Sequence, residues 1–152
     1  MELIKENKEK QRAVFFKDED TVRKIWYNKD LSWVANHVSI LEKIVPDYAK
    51  AFGHEDDHVW IDFKRYKGIK ASEFPHSMMF VKVITDFCVN NLQKTLPYVH
   101  GDWVLSNILI DGENMFMVDW DNIGIYPIEQ CYEKLRNDLT SAFGDKFDPS
   151  SI

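Results

Sequence analysis

The sequence predicts an α+β chain with a β-rich first half carrying one helix and a mainly helical second half. Three observations predict it. The first 52 residues contain no glycine and read as short β-rich runs separated by charged turns. A long amphipathic stretch lies between Pro75 and Pro97, and a second begins at Pro127. At 152 residues, the length sets a prior of one domain.

The elements follow in order. Glu2 to Glu6 reads as a strand, and Asn7-Lys8-Glu9-Lys10 as a turn. Gln11 to Lys17 is a stronger strand, Asp18-Glu19-Asp20 a turn, and Thr21 to Tyr27 a third strand, so the three form an antiparallel meander. Asp30 caps a helix over 31–45, with Val34, Val38, Leu41 and Val45 on one face and Pro46 ending it. Tyr48 to Phe52 and His58 to Tyr66 are two more strands, joined by Gly53-His54-Glu55-Asp56-Asp57. The spacing predicts a helix from Pro75 to about Lys94, with Phe80, Ile84, Phe87, Asn91 and Leu96 as its inner stripe and Cys88 and Leu92 beside it. Asn107 to Ile110 and Met115 to Val118 flank an Asp-Gly turn, which is a hairpin signal. The last helix places Ile128, Cys131, Leu135, Leu139 and Ala142 on one face, and the tail from Asp148 reads as frayed. The tryptophans at 33, 60, 103 and 120 and the methionines at 78, 79, 115 and 117 read as packing residues, with Trp103 the one placed to touch a substrate.

Composition narrows the function. The chain is 45% hydrophobic and 14% aromatic, enough for a folded core. Its 25 acidic and 19 basic residues give a net charge of −6, and there is no long Lys/Arg run, which argues against a nucleic-acid partner. Cys88 and Cys131 lie far apart without a CxxC pair, so they are expected as buried thiols of a reducing compartment, and the expected location is cytoplasmic. The opening MELIKENKEKQR has no apolar core of a secretory signal, and no apolar run reaches membrane-spanning length, so no membrane partner is expected.

The chemistry concentrates in Tyr98 to Gly124, YVHGDWVLSNILIDGENMFMVDWDNIG. His100-Gly101-Asp102 precedes Asn107 by five residues from the aspartate, and Asp119 follows Asn107 by twelve across the hairpin. Two carboxylates and a carboxamide on either side of a tight hairpin suit phosphoryl transfer. One Asp accepts a proton from the attacking hydroxyl, while Asn and the other Asp hold Mg²⁺ against nucleotide phosphates.

HGDxxxxN, an apolar strand and then DWxxxG resemble the aminoglycoside phosphotransferase and choline kinase branch of the protein-kinase-like superfamily, in a shortened form. The resemblance is strong over Val99 to Gly124 and weaker before it. It implies a two-lobed fold: residues 1–66 as an N-lobe with a five-stranded antiparallel sheet and helix 31–45, and residues 67–152 as a reduced C-lobe. It implies a kinase that moves the ATP γ-phosphate to a small hydroxylated substrate with Mg²⁺. Asp102 would be the catalytic base, and Asn107 and Asp119 the metal ligands. Leu109 would form the adenine floor, with Val118 just before the metal Asp, and His100 would hold the loop. Val22-Arg23-Lys24-Ile25 resembles the strand with the phosphate-binding lysine, so Val22 and Lys24 would contact nucleotide from one strand face. Phe63 to Gly68 resembles the hinge, where Tyr66 and its neighbours would offer backbone groups to adenine. Asp121 would either bind a second metal or cap the turn before Gly124.

The pattern departs from the family in three places. The first turn lacks glycine. The helix glutamate that pairs with the lysine is replaced by His37 in the alignment on Leu41 and Ile44, with Glu42 on another face. Only 50 residues follow Asp102, where relatives carry acceptor-binding helices, so a homodimer is one way to complete that wall. Two other functions stay open. One is a catalytically inactive kinase-like module that binds nucleotide or a partner. The other is a metal-dependent hydrolase using His100, Asp102, Asp119 and Asp121. His54-Glu55-Asp56-Asp57-His58 is read as a solvated turn rather than a metal cluster.

Overall fold

A computed structural model describes all residues from Met1 to Ile152. Its contacts fall into two units, Met1–Tyr66 and Lys67–Ile152. No helix is long and apolar enough to cross a membrane.

The first unit is an antiparallel sheet with one helix. Its strands are β1 (Glu2–Asn7), β2 (Arg12–Asp18), β3 (Thr21–Trp26), β4 (Ala49–His54) and β5 (Val59–Lys64), in the order β1-β2-β3-β5-β4. Helix α1 spans Leu31–Ile44. The β1-β2-β3 meander follows from charged turns too short for any crossover. Asp30 caps α1 by accepting from the Trp33 N–H at 2.8 Å. Val34, His37, Val38 and Leu41 form its buried face, and Glu42 is exposed. Trp26 and Trp33 meet edge to face at 5.2 Å, and Trp33 stacks on His37 at 5.0 Å.

The register sorts β3 by face. Val22, Lys24 and Trp26 lie opposite Phe63, Ile61 and Val59, while Arg23 lies opposite Asp62. Asp62 is 2% exposed and accepts from Arg23 Nε at 2.7 Å and from Lys17 Nζ at 2.8 Å. Burial alone would raise this carboxyl, but the bonds from Arg23 and Lys17 carry it below the ordinary carboxylate value. The Arg23 guanidinium also lies 3.9 Å from the Trp60 ring centre. Gly53 belongs to β4 rather than to the turn expected from its type. A Cβ there would come within 2.7 Å of the Trp60 ring, so the strand needs glycine to let that ring lie flat.

The second unit is built on two helices, α2 (Met78–Thr95) and α3 (Ile128–Phe143). A three-stranded sheet in the order β6-β8-β9 comprises β6 (Ile69–Lys70), β8 (Ile108–Asp111) and β9 (Asn114–Met117). A two-stranded ribbon pairs β7 (Tyr98–Val99) with β10 (Gly124–Ile125). The Asp-Gly hairpin forms where the sequence places it, with Asp111 opposite Asn114.

Five expectations are corrected here. Helix α2 starts after Ser77, whose Oγ accepts from the Phe80 N–H at 3.1 Å, not at Pro75. Its buried stripe is Val81, Ile84, Thr85, Cys88, Leu92 and Thr95, one position round from the expected one. Met78 and Met79 are 66% and 79% exposed rather than core, on the first turn of the helix ahead of its first buried residue, Val81. In α3 the stripe is Cys131, Leu135, Leu139 and Phe143, and Ile128 is exposed. The tail is ordered by a short 3₁₀ turn over Pro149–Ser151 capped by Asp148, and Arg136 Nε donates to the Ile152 carbonyl at 3.0 Å.

Candidate active site

The site grows from the loop after β7. Gly101 has φ +86°, and a Cβ there would approach the Asn122 carbonyl to 2.8 Å. Glycine therefore lets the His100-Gly101-Asp102 turn lie against the Asp119–Asn122 loop.

His100 is fully buried and ties the two segments together. Its Nδ1 accepts from the Asp102 N–H at 3.1 Å, so the proton sits on Nε2, which donates to the Val118 carbonyl at 2.8 Å. Trp120 packs against the ring edge to face at 4.6 Å, and Trp103 lies 5.8 Å away. Burial pushes this imidazole below its ordinary 6.5. The bond to Val118 and the charges of Asp119, Asp102 and Asp121 pull the other way without overcoming it. The unfolded chain thus binds a proton that the native chain refuses. Stability from this group is complete above about pH 6.5 and falls as pH drops below it. The thermal midpoint is expected to fall between pH 7 and pH 5, and by less in His100→Gln. Melting curves of both proteins across that range check this, and parallel curves would contradict it.

Asn107 is 8% exposed, at the end of a 3₁₀ turn over Leu105–Asn107. Its Nδ2 donates to the Asp102 carbonyl and to Asp102 Oδ2, both at 3.2 Å. Its backbone carbonyl accepts from the Val118 N–H at 2.8 Å. Val118 therefore holds His100 with one backbone group and Asn107 with the other, and Asp119 follows directly. Asp119 has φ +60°, an uncommon backbone state for a non-glycine residue and one that gathers at functional sites. Trp120 Nε1 donates to the Met117 carbonyl at 2.9 Å, closing the turn beneath it.

Asp102, Asn107, Asp119 and Asp121 are thus gathered around His100. Leu109 is half-buried on β8 opposite Phe116, and Val118 is half-buried. Trp103 is 1% exposed, so it packs under the loop instead of meeting a substrate. In the first unit, Lys24 is 9% exposed with its Nζ 5.5 Å from the Phe63 ring centre, and Val22 is half-buried beside Phe63. Tyr66 stacks on Tyr48 at 5.9 Å, and burial together with Asp47 raises its hydroxyl above the usual value.

No three His, Cys, Asp or Glu side chains are placed together to hold a metal ion, either here or in the 54–58 turn. Both nitrogens of His100 are committed to the loop, which removes the histidine ligand that a hydrolase reading needs. Cys88 is buried, which pushes its thiol up to about 12, and burial also raises Cys131, so both environments disfavour the thiolate.

Sequence reasoning missed Asp138. From α3, its Oδ2 accepts from the Trp103 N–H at 3.0 Å and so holds the residue next to Asp102. Lys134 donates to both of its oxygens at 2.8 and 3.0 Å. In the sequence this pair looks like an ordinary i,i+4 surface ion pair. The only signal was an acid beside the apolar stripe, next to Leu139.

No protein-family model matches the chain, and no curated protein matches it. Solved structures do. The PK-1 kinase of Cydia pomonella granulovirus superposes with a TM-score of 0.66 at 14% identity, over 99% of this chain and 75% of that one. The fold is kinase-like. WbdD, solved with the kinase inhibitor LY294002, gives 0.61 at 16% identity over 91% of this chain and 36% of its own. WbdD described as a bifunctional kinase-methyltransferase gives 0.55 at 14% identity, over 86% and 34%. The chain therefore spans three quarters of the viral kinase and about a third of WbdD. The kinase-like fold accounts for a β-rich unit with one helix followed by a helical unit in which the His-Gly-Asp loop leads into a hairpin.

Proposed function

We propose that the chain is an ATP-dependent phosphotransferase acting on the hydroxyl of a small molecule. The observation that carries this reading is the bonding of Asn107 to Asp102 on one side and, through Val118, to the Asp119 backbone on the other.

Asp102 is the catalytic base. Its carboxylate takes the proton of the acceptor hydroxyl as that oxygen bonds to the γ-phosphorus, and the bond to the β–γ bridging oxygen breaks to leave ADP. Asn107 presents the carboxamide oxygen, because its nitrogen is engaged with Asp102. That oxygen and the Asp119 carboxylate would hold Mg²⁺, which prefers hard oxygen donors. When bound, the ion supplies charge neutralisation for the phosphates. Leu109 and Val118 are the nucleotide contacts of the second unit in this reading. His100 positions the loop. Val104 stands where Ser/Thr protein kinases usually place a lysine, which supports a small-molecule acceptor and the aminoglycoside phosphotransferase and choline kinase branch. The buried thiols suit the reducing cytoplasm as the proposed location.

One observation favours a second reading, a kinase-like module that binds nucleotide without turnover. Helix α1 buries His37 where the family carries a glutamate, and Glu42 is exposed. Thermal shift with Mg²⁺ and ATP, run beside a phosphate-release assay, separates the two. A raised midpoint with phosphate release supports the transferase. A raised midpoint without release on any acceptor supports the module, and no shift with no release contradicts both.

A further inference from the structure

Away from the candidate active site, the second unit carries an open groove of about 350 Å³. One wall is α2, through Val83, Asp86, Phe87, Asn90, Asn91 and Lys94, and the other is Met115 of β9. From Val83 to Lys94 the helix rises about 16 Å, the length of roughly five extended residues.

Four features bear on what this groove would hold. First, β9 is the edge of its sheet. The two-residue turn makes Asp111 and Asn114 a bonded pair, so the next pair, Ile110 and Met115, is non-bonded and Met115 turns its N–H and C=O toward the open edge. Second, Asn91 Oδ1 is buried on the groove wall with no hydrogen-bond partner, a condition that native structures rarely leave without a donor. Third, Lys94 forms no ion pair, whereas Asp86 at the other end is paired with Lys82 at 3.0 Å. Fourth, Val83 is 43% exposed beside half-buried Phe87, a partly exposed apolar strip on the groove wall.

An open strand edge beside a helix-walled groove is a setting in which an extended peptide can add as a strand. We propose that this groove docks an extended acidic–apolar segment of a partner protein. The segment pairs along β9, lays an apolar residue on Val83 and Phe87, and places a carboxylate at Lys94. A backbone N–H of the segment supplies the donor for Asn91. The unpaired lysine sets the sign of the charge, and the free strand edge favours an extended segment over a helix. This goes beyond phosphoryl transfer, since none of these residues belongs to the candidate active site.

The test selects a phage-displayed random seven-residue peptide library on the full chain. Enriched peptides are remade with a fluorophore and titrated by anisotropy. The expected result is enrichment of an Asp or Glu beside alternating apolar residues. Binding is expected to weaken at least tenfold in Lys94→Glu and in Val83→Glu, both at exposed positions where circular dichroism should show an unchanged fold. Replacing the peptide's acid with lysine should restore binding to Lys94→Glu. Failure to enrich any peptide overturns the proposal. So do enriched peptides that bind both variants as tightly as the parent chain.

Discussion

Asp102→Ala is expected to lower ATP turnover by about 10²–10⁴-fold, the usual span for loss of a general base. The fold should hardly notice. The Asp102 side chain is half-buried and accepts one bond from Asn107 Nδ2, which keeps its second bond to the Asp102 carbonyl. One such bond is worth about 0.5–1.5 kcal/mol, so the variant should melt close to the parent. Asp102→Asn sharpens the comparison, because it keeps a hydrogen-bonding oxygen at nearly the same place and cannot take a proton. Both variants should be equally slow while still binding ATP with Mg²⁺. Turnover that survives in Asp102→Asn would show that the carboxylate is not the base.

Trp103→Ala is expected to be the most destabilising single change in the loop, at about 3–5 kcal/mol. The side chain is 1% exposed, packs near His100, and hangs from Asp138 through its backbone N–H. Its removal leaves a cavity under the residue that holds Asp102, so stability and turnover should fall together. Trp103→Phe, which keeps most of the volume, should recover much of both. Denaturant unfolding of the two variants measures the first effect. A variant as stable as the parent but with a raised KM for the acceptor would mean that the indole meets substrate instead of packing.

Much of the fold could be read from local chemistry. The Asp30 cap, the three- and four-residue spacing of α1, the short charged turns and the Asp-Gly hairpin each carry a signal inside a few residues. Other features depend on distant partners. The two-residue strands β6, β7 and β10 exist only because β8 and each other supply their hydrogen bonds. In α2 the expected and observed stripes share Ile84 and have nearly the same periodicity. The observed one was masked by Thr85 and Thr95, whose hydroxyls bond to carbonyls of their own helix at Val81 and Leu92 and so can be buried. The motif residues around His100 could be named from spacing, but the means of holding them could not. The left-handed backbone of Asp119, the two-sided use of Val118 and the grip of Asp138 on Trp103 are products of tertiary packing.

The central claim is that Asp102, Asn107 and Asp119 act as one phosphoryl-transfer site. Its most direct test is Mg²⁺-dependent release of γ-phosphate from ATP by the purified chain, measured beside Asp119→Ala. The expected result is release in the parent that stops when Mg²⁺ is chelated and that is absent in the variant. Mg²⁺-dependent release that persists in Asp119→Ala would contradict the assignment.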